Sequence, residues 1–319
     1  MNGLCENLVR MLEASVARHR CDAILLSGGL DSSILASILR PKYSVTCAFG
    51  PDSPDMSFAP KVAKKFCGTH RSVDISADKM LDLVEKVVKI CETFDPIEIR
   101  NSVVALAGIE QAKADGYSEV MTGDGGDELF AGYNYLSRYY SDPAKLDSEI
   151  RRLWKVMQFS SKEIGEHVRV GIRAPFLDPE FMEYSKSIPA VSKVGEHNAK
   201  VWGKFLLRTC YEPVLGEAIA WRPKLAQEQG AGTDKFQEYI SERIDDQAFS
   251  NKLAIAREEG VTLRSKEHLH YYALYRSYFA PPRENNCDLR CPSCQACMES
   301  DGRFCRICGA YPVKPAGSL

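Results

Sequence analysis

Short apolar runs alternate with amphipathic stretches through the first half of the chain. Residues 21–26 form an apolar run that stops at Ser27-Gly28-Gly29, and residues 31–39 then follow helical periodicity. Residues 43–49 are β-branched and aromatic, and they end at Gly50 ahead of a Pro/Asp/Ser turn region. Residues 58–66 read as a helix and 70–75 as a strand. Over 78–91, Met80, Leu83, Val84, Val87, Val88 and Cys91 fall on one helical face. A further helix is predicted over 97–114, stopped by Asp115-Gly116. A strand over 118–121 then runs into Gly123-Asp124-Gly125-Gly126. Strands alternating with helices predict a parallel sheet with right-handed crossovers. From Gly126 onward the pattern is mostly helical, with few strand-like runs. A polar, proline-led linker over 281–286 precedes a cysteine-rich tail. The expectation is an α/β first half, a helical second half and a small tail, divided as 1–282 and 283–319.

Composition narrows the function classes. The 319 residues are 45% hydrophobic and 26% charged, a globular balance that excludes disordered and collagen-like chains. Lysine plus arginine is 41 against 43 aspartate plus glutamate, so a strong electrostatic case for nucleic acid is missing. No apolar run approaches the roughly 18 residues that a membrane helix needs. The amphipathic, charged N-terminus has no signal-peptide apolar region, so a cytoplasmic protein is expected.

Six of the 12 cysteines (Cys287, Cys291, Cys294, Cys297, Cys305, Cys308) fall in the tail. A terminal cluster in a reduced compartment points to metal rather than disulfides, and the scattered remainder read as small buried hydrophobes. Cys291-Pro-Ser-Cys294 and Cys305-Arg-Ile-Cys308-Gly309 form two CxxC knuckles suited to a tetrahedral Zn²⁺ site of four thiolates. Such a site is closed and therefore structural. Cys287 and Cys297 leave the ligand set ambiguous, because Cys294-x-x-Cys297 is a second possible first knuckle; an iron–sulfur cluster is the other option. Arg290, Arg303 and Arg306 make the tail mildly basic, which offers a docking face for a partner or RNA or, more simply, a stabilising staple.

In an open parallel sheet, ligands bind at the carboxyl ends of the strands. Two glycine-rich segments lie there. Ser27-Gly28-Gly29-Leu30-Asp31-Ser32-Ser33 offers backbone N–H groups, a helix N-terminus and three hydroxyls to a phosphate or pyrophosphate. It is neither a Walker A loop nor a dinucleotide fingerprint. Asp31 would repel phosphate unless a cation bridged them, and Mg²⁺ is the natural bridge. The second segment, Thr122 to Phe130, brings further carboxylates, so that Asp31 and Asp127 across adjacent strands could share one Mg²⁺.

The first loop resembles the pyrophosphate loop of the N-type ATP pyrophosphatase superfamily, in the form used by asparagine synthetases. Other stretches resemble that family in the same order: Phe49-Gly50 with Ser53-Pro54-Asp55, Glu92-Thr93-Phe94-Asp95 with Ile99-Arg100, and TGDGGDELFAGY from Thr122. Arg173-Ala-Pro-Phe-Leu-Asp178, Lys204-Phe-Leu-Leu-Arg208 and Trp221-Arg222-Pro223-Lys224 follow. The likeness covers roughly residues 21–232. It implies an adenine-nucleotide α-hydrolase-like (PP-loop) core, to which the tail adds a zinc ribbon foreign to ordinary family members. The segment 225–232 is also less family-like. Only 26 residues precede Ser27, which leaves no room for a glutaminase domain, so nitrogen is expected from solution or a separate glutaminase subunit.

The resemblance implies that a substrate carboxylate, aspartate by family default, attacks the α-phosphate of ATP and releases pyrophosphate. Ammonia or another amine then displaces AMP. In that scheme Lys224 neutralises the α-phosphate and Glu92 accepts a proton from the amine. Leu26, Phe49, Thr122 and Gly123 line the adenosine, while Asp31 and Asp127 carry Mg²⁺. Asp178 and Arg208 read as a buried pair. The rival reading is a tRNA-modifying enzyme that adenylates a base and transfers sulfur, which would require a catalytic cysteine among Cys47, Cys91 and Cys210.

Overall fold

The structure, a computed structural model, describes residues 2–283, 287, 289–298 and 303–313. Residues 284–286 of the expected linker lie outside the described residues. The chain forms two compact units, each assembled from separated segments. The first comprises Met1–Cys47, Pro54–Val73 and Gly108–Ala226; the second comprises Ala48–Ser53, Asp74–Ala107 and Gln227–Leu319.

The first unit is built on β1 (Ala23–Leu25), β2 (Tyr43–Ala48), β3 (Thr69–Asp74), β4 (Glu119–Met121) and β5 (Gly171–Arg173), in the order β3-β2-β1-β4-β5. β1 runs parallel to β2 with Ala23 opposite Tyr43, and parallel to β4 with Ile24 opposite Met121. Buried along its whole length, β2 has the β-branched character of an interior parallel strand. β3 is polar and largely exposed, which suits its place at the edge. The helices α1 (Asn2–Arg18), α2 (Leu30–Leu39) and α3 (Pro54–Phe66) contribute Leu8, Leu12, Val16, Ile34, Leu35, Val62 and Phe66 to one core with Phe176, Phe181, Leu206 and Leu207.

Three features depart from the expectation. β5 and an antiparallel hairpin, β6 (Val194–His197) and β7 (Lys200–Gly203), lie in the stretch that reads as helical. The hairpin turns on Asn198 and Ala199 at φ 50° and 56°, a left-handed pair that Asn-Ala signals far more weakly than Asn-Gly does. Cys5 and Cys210 are not independent buried hydrophobes. They form a disulfide joining α1 to the helix Phe205–Leu215 across a Cα–Cα distance of 5.2 Å.

The second unit centres on α4 (Ala77–Cys91), on residues 96–107 of α5 (Pro96–Ala114), and on the helices Phe236–Ser241, Asp246–Glu258 and Lys266–Tyr278. The apolar face expected on α4 is buried at Met80, Leu83, Val84, Val87 and Val88. Just after α4, Phe94 is fully buried among His268, Tyr272 and Tyr275, at ring-centroid distances of 5.4, 4.9 and 5.2 Å. Ser76, Asp245 and Ser265 cap their helices by accepting from the backbone N–H three residues on. Among the described residues, no helix is long and apolar enough to cross a membrane.

Candidate functional site

In the sheet order, the chain steps from β1 to β2 on one side and reaches β4 on the other. The carboxyl ends of β1 and β4 therefore flank a topological switch point, where open α/β sheets form a ligand crevice. Both glycine-rich segments leave the sheet at that point.

Past β1, Leu26 is held by its N–H to the Val45 carbonyl at 2.9 Å. Gly28 then adopts φ +68°, and a Cβ on it would lie 2.6 Å from the Ala59 nitrogen, so the loop rests directly on the α3 backbone. Gly29 occupies the N-cap position of α2 without a side-chain cap, which leaves the start of the helix free for an external acceptor. The Ser27 and Ser32 hydroxyls lie 3.1 Å apart, and Ser32 Oγ also reaches the Gly29 carbonyl at 3.3 Å. Ser33 Oγ is buried and makes no hydrogen bond among the described residues. Such long or missing bonds leave these hydroxyls available to a ligand.

Asp31 and Asp127 come together as the spacing suggests, but an ammonium group lies between them. Lys204 Nζ donates to Asp31 Oδ2 and pairs with Asp127 Oδ1 at 2.7 Å; Lys224 Nζ donates to Asp127 Oδ2 at 2.8 Å. The Gly126 backbone closes on this group, since a Cβ there would lie 2.7 Å from the Asp31 carboxylate. Burial by itself raises the Asp127 carboxyl, but the Lys204 and Lys224 charges reverse this and hold it well below the usual carboxylate range. Burial likewise works against the Lys204 ammonium, yet Asp127 and Asp31 outweigh it and raise the group above its ordinary value. The four side chains thus alternate in charge along one ionic chain, Lys224–Asp127–Lys204–Asp31. Asp31 Oδ1 is buried and has no hydrogen-bond partner among the described residues. A carboxylate oxygen in that state suits a hard cation such as Mg²⁺.

Two motifs acquire roles that spacing did not reveal. Arg222 donates to the Ser27 carbonyl at 3.2 Å and to Asp55 Oδ1 at 3.0 Å, with its guanidinium 4.1 Å from the Phe58 ring centroid. It therefore ties the phosphate loop to the first turn of α3. Burial raises the Asp55 carboxyl against the opposing pull of Arg222. The expected pairing of Asp178 with Arg208 is not made. Asp178 instead caps the helix Pro179–Ser187 and binds Arg18 at 2.6 Å, while Arg208 donates to the carbonyls of Gly203, Ala220 and Arg222. Burial lowers the Arg208 guanidinium to about 10. On the β4 side, Thr122 Oγ1 donates to Asp124 Oδ2 at 2.7 Å and the Thr122 N–H to the Arg173 carbonyl at 2.9 Å. Gly123 follows beside Asp31, whose Cβ would lie 3.2 Å from a Cβ at 123.

Phe49 and Glu92 belong to the second unit. Phe49 meets Phe236 edge-on at 5.6 Å, and its N–H donates to the Ala231 carbonyl at 2.8 Å. Glu92 is exposed and terminates α4 in the left-handed region at φ 50°. Beyond it, burial raises the Asp95 carboxyl to about 7.

In the tail, the Cys291, Cys294, Cys305 and Cys308 sulfurs are buried and all lie within 4.8 Å of one another, with Cys291–Cys308 and Cys294–Cys305 each at 3.6 Å. Four thiolates at about 2.3 Å from Zn²⁺ would be spaced at about 3.8 Å, so this cage fits the ion. Cys297 is disulfide-bonded to Cys287, which separates both from the four-sulfur group.

Comparison with known proteins gives one consistent result. The asparagine synthase family model matches residues 8–164 and 160–280. Asparagine synthetase B (glutamine-hydrolyzing) of Escherichia coli K12 is 29% identical over 330 residues, covering 93% of this chain and 58% of that protein. The glutamine-hydrolyzing asparagine synthetase of Gallus gallus is 30% identical over 299 residues, covering 86% of this chain and 52% of its own length. The chain thus spans about half the length of the curated relatives it matches.

Proposed function

The chain belongs to the asparagine synthase family, and from that premise we propose that it is an ATP-dependent, AMP-forming amide ligase working in the cytoplasm. The observation that carries this reading is the ionic chain Lys224–Asp127–Lys204–Asp31 beside a glycine loop at the switch point. A substrate carboxylate, aspartate in the first instance, attacks the α-phosphate of ATP, and pyrophosphate leaves. The Ser27–Ser33 loop receives the pyrophosphate through backbone N–H groups and hydroxyls. Asp31 and Asp127 would hold Mg²⁺, which neutralises charge on the phosphates. Lys224, about a quarter exposed, is the more accessible of the two lysines on Asp127 and offers its charge to the α-phosphate. Lys204 is nearly buried and keeps the two carboxylates together. An amine then displaces AMP, and Glu92 acts as its general base. Leu26, Phe49, Thr122 and Gly123 line the adenosine. The amine is ammonia, free in solution or released by a glutaminase. The ligase body takes residues 1–282, and a Zn²⁺ ribbon takes 283–319.

The sulfur-transfer alternative needs an accessible thiolate. Cys47 is buried with its thiol pushed up to about 12, and Cys210 is bonded to Cys5. Both weaken that reading.

The test is to follow pyrophosphate and AMP from purified protein with ATP, Mg²⁺, aspartate and ammonium, omitting each in turn. Asp31→Asn is expected to abolish ATP-to-AMP turnover while circular dichroism stays native; normal turnover would sink the assignment of the metal ligands. Lys224→Met should lower turnover by about two orders of magnitude, and a loss below about tenfold would remove Lys224 from the catalytic group.

A further inference from the structure

The two cysteine knuckles share one backbone plan. In the first, the Cys291 N–H donates to the Ala296 carbonyl at 2.9 Å, and the Gln295 N–H donates to the Cys291 carbonyl at 2.9 Å. In the second, the Cys305 N–H donates to Ala310 at 3.0 Å and the Gly309 N–H to Cys305 at 2.7 Å. The residue that turns each knuckle is left-handed, Gln295 at φ 64° and Gly309 at φ 69°. Gln295 demonstrates that a side chain is accepted at this position, so the turn alone does not demand glycine at 309. The close approach of another segment does: a Cβ on Gly309 would lie 2.1 Å from Asp95 Oδ1.

The same knuckle holds the residues before Asp95. The Phe94 N–H donates to the Ile307 carbonyl at 2.8 Å, and Thr93 Oγ1 donates to the Arg306 carbonyl at 2.7 Å. Arg264 closes the far side by donating to the Cys308 and Gly309 carbonyls at 2.7 and 2.9 Å. The first knuckle is anchored separately, with the Thr262 N–H donating to the Ser293 carbonyl at 2.7 Å. All of these residues lie in the second unit. A tail that served only as a local staple would have no need to accept hydrogen bonds from the chain that immediately follows Glu92.

We propose that the four-cysteine metal site is a positioning clamp for Glu92: Zn²⁺ fixes the 305–309 turn, whose carbonyls grip residues 93 and 94 and so set the backbone that presents Glu92. Cys305, Cys308 and Gly309 are then positioning residues, since none of them touches substrate. The catalytic side of this inference rests on the role of Glu92 proposed above, while its mechanical side does not.

The test uses the full-length, Zn²⁺-loaded protein and Gly309→Ala. Gln295 indicates that the knuckle survives a side chain, so the variant should keep its zinc while the new methyl group displaces Asp95. Three readouts are compared with wild type: zinc content, hydrogen exchange at the Phe94 amide, and the two half-reactions. ATP–pyrophosphate exchange reports carboxylate activation by the first unit's residues, and amide formation reports the step that needs Glu92. The expected result is unchanged zinc, lost protection at Phe94, pyrophosphate exchange within about twofold of wild type, and amide formation down by about a hundredfold. Full protection at Phe94, or undiminished amide formation despite lost protection, would overturn the proposal. So would freshly purified wild type without bound zinc. If Gly309→Ala loses zinc or unfolds, Thr93→Val, which leaves both knuckles intact, decides by the same readouts. A wild type inactive in both half-reactions would refute the ligase reading instead, and Phe94 exchange would still decide whether the clamp exists.

Discussion

Lys193 is a buried ammonium that no motif announces. Its Nζ donates to the Ser185 carbonyl at 2.8 Å and lies 4.8 Å from the Trp154 ring centroid and 5.8 Å from that of Phe130. Burial pulls its pKa down to about 7, only partly offset by Asp147. Below about pH 7 both folded and unfolded chains carry the proton, and the folded state bears the full cost of burying it. Between about 7 and the unfolded value the unfolded chain binds more protons, so stability climbs with pH by up to about 1.4 kcal/mol per unit. Lys193→Met, which fills a similar volume, should therefore raise stability most at pH 6, with the gain shrinking toward pH 10. Urea unfolding of both proteins across that range checks it; a gain independent of pH would mean that Lys193 is buried without its charge being penalised. The lost bond to Ser185 costs about 1 kcal/mol at every pH and does not change the trend.

At the scale of elements, the phosphate loop was legible because its chemistry is local. Ser27 to Ser33 runs from just past β1 into the first turn of α2, as the change from an apolar run to helical periodicity requires. The loop's support was not legible, because Arg222, Asp55 and the α3 backbone come from distant positions and meet it only in the fold. The same holds for Lys204, visible as part of a signature but not as the cation between Asp31 and Asp127. Charge complementarity in sequence cannot choose among partners for Asp178, and in the fold α1 supplies Arg18 where the sequence pairs it with Arg208. The hairpin β6–β7 is not legible in the sequence because Asn-Ala is a poor turn signal. A contrast within the loop tests the support directly. Gly28→Ala adds a methyl group against backbone atoms at a positive φ, and should lose about 2–4 kcal/mol of stability together with nucleotide binding. Gly29→Ala meets only the Ser27 hydroxyl, at 3.1 Å with an ordinary φ, and should fold as wild type. Equal denaturation midpoints for the two variants would show that the loop does not rest on α3 as described.

At the scale of the molecule, the sequence divides at its composition change and the contacts divide elsewhere. The second unit draws on residues from the first half, the second half and the tail. Pattern reading works along the chain, whereas a compact unit is defined by which distant segments bury one another's surface. The distribution of aromatic residues makes this testable without mutation. All three tryptophans, Trp154, Trp202 and Trp221, lie in the first unit, and Phe94, Tyr272 and Tyr275 form a ring cluster in the second. Each unit has its own buried core, so removal of tail metal should be felt first where the tail is bonded. Extraction of zinc by a strong chelator is expected to lower the thermal midpoint of the Tyr272 and Tyr275 ring signals in NMR spectra, because the knuckle carbonyls release Phe94, against which both rings pack. Tryptophan emission should keep its wavelength and its midpoint, since Trp221 stacks on His197 at 3.7 Å and Trp154 donates to the Glu128 carbonyl at 3.0 Å, all within the first unit. If tryptophan emission shifts to the red in step with zinc release, the two units unfold together and the metal stabilises the whole chain rather than one part of it.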